Sequence, residues 1–319
     1  MGIVDGLYSR GIAQQIVWLS GLLPYQYCVE VLGRIGRLQV SLSSIWRCGQ
    51  HYGEELLKVA QHQQGQVSPE RVQIAPAWAD HEEVKGVSLD GGMVNIRDEG
   101  WKEMKVGAVY NVTLKLEHDE RTGEYAQFPH AQDLAYTAVL GDVEAFAPAL
   151  WALAVTHALP TAQRCSVTAD GAQWIWNLSD DLLPDSTQIV DYFHAMQHLS
   201  QAADALFPNE PERAKNWSRQ RQDDLFLGNI HAITQPLDKA ALAEHSHYFH
   251  HHQRRMQYQE FRENGFPIGS GSVESSVKQF KARLAGPGMR WNRHSAQRML
   301  LIRPAVLDHS FDDCWRAAA

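Results

Sequence analysis

The sequence predicts a mixed α/β fold whose core is interrupted by a helical segment. Of its 319 residues, 44% are hydrophobic and 21% are charged, which excludes disordered and fibrous classes and allows a sizeable buried core. Short apolar or alternating runs, typical of strands, are followed by longer runs with helical spacing. A polar, helix-favouring stretch, 208–263, lies before the last part of the chain. This length suits two coupled units or one core with an insertion.

The first sixty residues predict short helices separated by turns. Ile12–Leu23 has helical spacing, Pro24 can open a second helix, and Ser41 followed by Ser44 can cap a third. We expect exposed residues on the third helix, which would make region 1–60 resemble a helix-turn-helix: Ser43, Arg47, Gln50 and His51. Helices that merely pack a core would look the same. Residues 61–80, rich in Gln and Pro, predict a linker.

The middle of the chain predicts strands that alternate with helices. Strands are expected at Val84–Leu89, ended by Asp90-Gly91-Gly92, then at Met104–Leu116, Arg164–Ala169 and Gln188–Val190. Helices are expected at Val143–Leu159 and around Leu199. The predicted organisation is therefore a core over 81–207, a helical insertion over 208–263, and the rest of the core over 264–319.

Three features bear on the compartment. The four cysteines have no C-x-x-C spacing, which predicts neither a disulfide framework nor a cysteine zinc site. The longest apolar stretch, Ala145–Leu159, contains Pro148 and is shorter than the ~20 residues of a membrane span. The N-terminal apolar run lacks a cleavage site, so no signal peptide is expected. A cytoplasmic protein without a membrane partner is predicted.

The charge distribution indicates an anionic partner that the total charge hides. The chain has 29 basic and 37 acidic residues, for a net charge of −8. Residues 264–303 nevertheless hold seven basic residues and a single acid, Glu274. Such asymmetry is typical of an interaction surface. Trp291 lies among these basic residues, where it could stack an unpaired base or simply pack.

Three carboxylates stand where catalytic groups are expected. Asp90 and Asp170 each follow a predicted strand, and Glu274 begins a predicted helix after a glycine-rich turn. Three converging carboxylates would repel one another unless cations neutralised them, so we expect two Mg²⁺ (or Mn²⁺) ions. The alternative is that each Asp-Gly pair is an ordinary turn.

Five sequence blocks occur in an order that resembles the DDE-type insertion-sequence transposases, nearest to the ISKra group and its relatives in the ISL and Mutator-like groups. The blocks are Ser88–Met93 with Trp101–Gly107, Thr168–Trp176, Val190–His194 and Gly269–Ser275. The resemblance spans about residues 84–303. It implies an RNase H-like core interrupted by a helical insertion before the last acid.

The resemblance also implies roles for individual residues. Asp90, Asp170 and Glu274 match the family's catalytic acids and metal ligands, and Asp191 and His194 match its Asp-x-x-His motif. His194 would then act at the scissile phosphate, with Asp191 in support; a helix-start histidine satisfied by Asp191 is the alternative. We expect DNA contacts from the basic segment: Lys278, Lys281, Arg283, Arg290, Trp291 and Arg293.

The expected activity is Mg²⁺-dependent cleavage at transposon ends and strand transfer into target DNA. The partners would be terminal inverted repeats, target DNA and a second copy of the chain, in a bacterial, nucleoid-associated setting. The chain also resembles a family member lacking its N-terminal recognition region, so an inactive, truncated DNA-binding protein is the alternative. A glycosidase using two carboxylates is a third possibility, against which the basic segment counts.

Overall fold

A five-stranded mixed sheet forms the centre of this computed structural model, which describes residues 3–4, 8–67, 83–119, 121–269 and 271–318, with only the backbone for 3–4 and 271–277. The strands of this sheet are β3 (Val84–Ile96), β4 (Gly100–His118), β5 (Tyr125–Leu140), β6 (Arg164–Ala169) and β7 (Thr187–Val190). A separate short pair consists of β1 (Ile3–Val4) and β2 (Tyr8–Ser9). The prediction of a mixed α/β fold is confirmed.

The sheet combines antiparallel and parallel pairing in the order β5-β4-β3-β6-β7. Strands β3, β4 and β5 form an antiparallel meander, whereas β6 pairs parallel to β3 and β7 parallel to β6. The sequence did not predict β5, because this strand lacks the clean alternation of a half-buried strand. A helix joins β6 to β7, and the connection from β3 to β6 contains β4, β5 and a helix, so each parallel pair is linked by a long crossover.

The helices cover both faces of the sheet. They are α1 (Arg10–Leu22), α2 (Tyr25–Arg34), α3 (Leu42–Gln66), α4 (Val143–Thr156), α5 (Gln173–Leu182), α6 (Tyr192–Leu206), α7 (Pro211–Phe226), α8 (Ile230–Lys239), α9 (Ala243–His252), α10 (Tyr258–Glu263), α11 (Gly271–Leu284), α12 (Arg293–Leu307) and α13 (Phe311–Ala317). Short 3₁₀ helices occur at Leu159–Thr161 and Gln253–Arg255. The described part of the chain contains no helix that is both long and apolar enough to cross a membrane.

One hydrophobic core joins the N-terminal helices to the sheet and to the C-terminal helices. Ile16 of α1 and Ile45 of α3 pack in the same cluster as Met104 of β4, Phe280 of α11 and Met299 of α12. Residues 10–60 therefore do not form a separate packing unit. Burial of this shared apolar surface is what holds the N-terminal helices in place.

The third helix differs from the expected recognition helix in length and in its contacts. Ser41 caps it as predicted, by accepting a hydrogen bond from the Ser44 amide at 3.1 Å. It then continues to Gln66, so residues 61–66 belong to a helix and not to a linker; residues 68–82 lie outside the description. Gln50 accepts hydrogen bonds from Ser295 and Arg298 at 3.0 and 2.7 Å, and therefore ties α3 to α12. Ser43, Arg47 and His51 are exposed.

A second core fills the other face of the sheet. Helices α4, α5 and α6 pack there, and Trp176 of α5 is fully buried. The segment 208–263 is helical, as expected, and its residues Phe226, Ile233 and Phe249 join this core. The helical segment is thus packed against the α/β core through a continuous apolar interface.

Candidate active site

Three aspartates follow the paired ends of three neighbouring strands. Leu89 pairs with Ala169 and Ala169 pairs with Val190, and the next residue on each strand is Asp90, Asp170 or Asp191. The Asp191 amide donates to the Ala169 carbonyl at 2.7 Å, which fixes the third strand in register. The sheet thereby brings together acids that are far apart in sequence.

Asp90 lies inside a strand and not in the turn that the sequence predicted. Strand β3 continues to Ile96, because β4 pairs with it as far as Gly100. Only the parallel pairing with β6 stops at Leu89. Asp90 is therefore held at a fixed point of the sheet, next to the free end of β6.

The carboxylates of Asp90 and Asp170 lie on one face of the sheet. Ser88 pairs with Thr168, and side chains two residues further along a strand return to the same face. Asp90 also pairs with Val106, which belongs to the core beneath α11. Both carboxylates therefore face the side of the sheet on which α11 packs.

Burial raises the pKa of Asp90 above its ordinary value. The Gly91 amide, which donates to Asp90 Oδ1 at 2.6 Å, and the charge of Lys281 oppose this rise, whereas the charge of Asp170 adds to it. The two carboxylates are thus close enough to repel each other. Asp170 Oδ1 accepts from the Ala172 amide at 3.0 Å, at the start of α5.

Lys281 brings a positive charge to the same place. A Cβ atom at Gly92 would lie 3.1 Å from Lys281 Cε, so the glycine leaves room for the lysine stem against β3. The side chain is exposed and its charge lowers the pKa of Asp90. Lys281 therefore lies beside the carboxylates, as a phosphate-binding group would.

The position of the Glu274 side chain lies outside the described residues. The backbone of α11 includes Glu274 in its first turn. Among the residues whose side chains the structure describes, no three His, Cys, Asp or Glu residues form a group that could hold a metal ion. The predicted three-carboxylate set is thus placed for Asp90 and Asp170 only.

Asp191 and His194 fit in part the alternative interpretation, in which a histidine at the start of a helix is satisfied by Asp191. Asp191 is fully buried, and its Oδ1 accepts from the amides of Phe193 and His194 at 2.7 and 3.0 Å. It is therefore the N-cap of α6. His194 Nδ1 lies 3.5 Å from the same oxygen, yet its ring remains partly exposed and its charge acts on Asp90. His194 thus lies between its helix cap and the carboxylate pair.

Helix α9 brings residues to this site that the sequence analysis did not select. The Tyr248 ring stacks on His198 at a centroid distance of 3.7 Å, and burial together with the charges of Asp170 and Asp191 raises the Tyr248 pKa. His252 is 5% exposed and burial lowers its pKa to about 4. His252 is buried, whereas His247, His250 and His251 of the same histidine-rich helix are exposed. No periodicity in the sequence distinguishes this residue from its exposed neighbours.

His252 also packs against the turn that carries Asp170. Gly171 has a φ of +106°, and a Cβ at that position would lie 3.3 Å from His252 Nε2. Glycine is therefore required there both for its backbone conformation and for its lack of a side chain. The helical segment 208–263 reaches the carboxylate site through this contact.

The structure corrects much of the predicted DNA-contacting set. Arg283 is 2% exposed and its Nε donates to the Ser20 carbonyl at 2.7 Å, so it is not a surface cation. Trp291 is 7% exposed and donates to the Leu284 carbonyl at 2.9 Å, which makes it a packing residue. Arg293 pairs with Glu99 through two contacts of 3.0 and 2.5 Å. Lys278, Lys281 and Arg290 are exposed.

Two further arginines of the basic segment are also engaged within the fold. Arg298 pairs with Glu54 at 2.5 Å, and the buried Arg303 donates to the Gly21 carbonyl at 2.7 Å. Much of the positive charge that the sequence concentrates in 264–303 therefore holds α11 and α12 against the N-terminal helices. Sequence spacing could not reveal this, since the partners are more than 200 residues away.

Comparison with models of protein families and with curated proteins found no match for this chain.

Proposed function

We propose that this protein is a DDE-type DNA transposase, which cuts phosphodiester bonds at the ends of a mobile element and joins them to target DNA. The observation that carries the proposal is the placement of Asp90 and Asp170 at adjacent positions on one face of the sheet. The strand order, a three-stranded meander followed by two parallel strands, is the arrangement expected of an RNase H-like core.

The two carboxylates fit a divalent ion. They are hard oxygen donors, and burial together with the charge of Asp170 raises the pKa of Asp90; a cation bound between the two carboxylates would relieve their repulsion. Asp90 and Asp170 would hold the ions, which when bound neutralise charge at the attacking and leaving oxygens. The backbone amide of Gly91 already fixes one oxygen of Asp90.

Glu274 is proposed as the third acid on the basis of the backbone around it. The Ile268 carbonyl accepts from the Tyr192 amide at 2.9 Å, and the Pro267 carbonyl accepts from Thr168 at 3.3 Å. These bonds hold the chain just before α11 against β6 and α6, beside Asp170. The first turn of α11, which contains Glu274, therefore begins close to the aspartates.

The remaining residues of the site would bind and position the DNA. The Lys281 ammonium beside Asp90 would bind a non-bridging oxygen of the scissile phosphate. The partly exposed ring of His194 would donate a hydrogen bond to an oxygen on which charge develops. Exposed Lys278 and Arg290 would contact flanking phosphates, which makes affinity salt-dependent. A second copy of the chain would hold the other element end.

The decisive experiment is cleavage of the DNA that flanks this reading frame, with Mg²⁺ present. Asp170→Asn should abolish cutting and leave binding in EDTA nearly unchanged, because the asparagine oxygen can still accept from the Ala172 amide. Asp185→Asn, at an exposed loop position, is the matched control and should cut normally. If Asp170→Asn still cuts, the assignment is wrong. Binding by the wild type without any cutting would point to a silent DNA-binding protein.

A further inference from the structure

An open groove lies on the surface at the far end of β3 from the carboxylates. Its volume is about 540 Å³, and it is bordered by the starts of α2 and α3, the loop before α12 and the β3–β4 turn. The Trp291 amide donates to the Asn95 carbonyl at 3.0 Å, and the Arg97 amide donates to the Trp291 carbonyl at 2.8 Å. These bonds fasten the loop to the end of β3, so the walls of the groove are fixed by backbone pairing.

The residues that line the groove carry positive charge and no carboxylate. Arg97 and Arg290 are exposed at its rim and have no ion-pair partner among the described residues. Arg283 also lines it and is almost fully buried. The Arg283 guanidinium lies over the rings of Tyr25 and Trp291, at 5.0 and 5.1 Å from their centroids, and its Nε donates to the Ser20 carbonyl. Arg283 is therefore engaged within the fold, whereas Arg97 and Arg290 are the cations of the groove that face solvent.

An aromatic ring is held in the same groove. Trp46 of α3 is 42% exposed and lines the groove. Its indole N–H donates to Ser295 Oγ at 3.4 Å, and this contact restrains the ring. A restrained, exposed indole provides a flat surface for another ring system.

A second cavity of about 490 Å³ adjoins the groove and shares Arg97 and Arg290 with it. This cavity is also lined by Asp98, whose carboxylate would repel a phosphate. A phosphate would therefore bind in the first groove, whereas the adjoining cavity leaves space for the continuing chain of the ligand. Two cavities that share their cationic residues favour a strand over a single small molecule.

We propose that this groove binds an unpaired nucleotide within a DNA strand, with its phosphate at Arg97 and Arg290 and its base against Trp46. The identification of the strand as DNA rests on the proposed function. Ile96, beside the groove, is six residues beyond Asp90 along β3, a distance of roughly 20 Å. That separation corresponds to about six base pairs, so the groove would hold DNA flanking the cleavage position.

The test is the affinity for a labelled single-stranded oligonucleotide, measured by fluorescence anisotropy in EDTA. We expect Arg97→Ala with Arg290→Ala to weaken binding about tenfold and to lower the slope of log affinity against log salt by about 1.4, or ~0.7 for each lost phosphate contact. Trp46→Ala should weaken binding about tenfold, and Trp46→Phe should retain most of the affinity. Both arginine side chains are exposed, so the double variant should melt like the wild type.

The matched control removes two cations elsewhere. Lys215→Ala with Arg219→Ala changes the same net charge on the exposed face of α7 and should bind like the wild type. If the groove variant and this control bind equally well, the proposal is overturned. It is also overturned if a free mononucleotide competes as strongly as the oligonucleotide, which would indicate a pocket for a single nucleotide.

Measurement in EDTA separates this proposal from the proposed function. If the wild type never cuts DNA but the groove variant loses single-strand binding, the groove proposal is supported and the transposase activity is refuted. A chain that cuts DNA but binds single strands equally well with and without Arg97 and Arg290 would refute the groove alone.

Discussion

Replacing Asp90 by asparagine should stabilise the metal-free protein. Neighbouring strands lie ~4.8 Å apart, so charges on Asp90 and Asp170 at about 5 Å would repel by about 3 kcal/mol at an effective dielectric constant of 20 and by about 1 kcal/mol in water. Lys281 and His194 offset part of this repulsion. Asp90→Asn keeps an oxygen that can accept from the Gly91 amide, and should raise the free energy of unfolding by about 1–2 kcal/mol.

The same substitution should remove stabilisation by Mg²⁺. At a Mg²⁺ concentration about ten times its Kd, binding to the folded wild type would add about 1.4 kcal/mol to the free energy of unfolding. Asp90→Asn should show little of this gain. Urea unfolding in EDTA and in Mg²⁺ measures both effects, with Asp185→Asn as the control for a general effect of lost negative charge.

Two results would refute this reasoning. If Asp90→Asn destabilises the metal-free protein while the control does not, the carboxylate is a structural group and not one of a repelling pair. If Mg²⁺ stabilises the wild type and Asp90→Asn equally, the ion binds elsewhere on the protein.

Two further predictions concern stability. His252 takes up a proton near pH 6.5 in the unfolded protein and near pH 4 in the folded protein. The stabilisation that comes from neutral His252 is therefore complete above pH 6.5 and is lost as the pH falls towards 4. Urea unfolding should show that the free energy of unfolding falls by on the order of 1–2 kcal/mol from pH 7 to pH 5, and that His252→Gln removes this fall. If the variant shows the same fall, other groups cause the pH dependence. Gly86→Ala should lower the free energy of unfolding by about 3 kcal/mol or more, because the alanine Cβ would lie 2.1 Å from the Tyr110 ring. Gly33→Ala, with open space at its Cβ, should be neutral or stabilising by up to about 1 kcal/mol; equal effects of the two alanines would contradict the packing argument.

The local pattern of the sequence was sufficient for several elements. The apolar, β-branched run Arg164–Ala169 is a strand with the predicted bounds, and the Ser41 hydroxyl caps the third helix as its residue type indicates. The segment 208–263 is helical because it is polar and rich in helix-forming residues. These properties are set by a few neighbouring residues, so the local sequence is sufficient to predict them.

Properties that depend on distant residues were predicted poorly. Asp90-Gly91-Gly92 resembles a turn, but pairing with β4 extends the strand through it. The basic segment resembles an exposed surface, but Arg283 finds a carbonyl of α1 and is buried. In both cases the deciding partner is remote in the chain, and local propensity is overridden by hydrogen bonding and burial.

The α/β class, the main helices and the residue types that could hold divalent ions follow from local sequence patterns. The register that puts Asp90, Asp170 and Asp191 after paired positions on adjacent strands, and the burial of some arginines and exposure of others, follow from the fold. The physical reason is that sheet register and side-chain burial arise from contacts between segments far apart in the chain, which no local pattern contains.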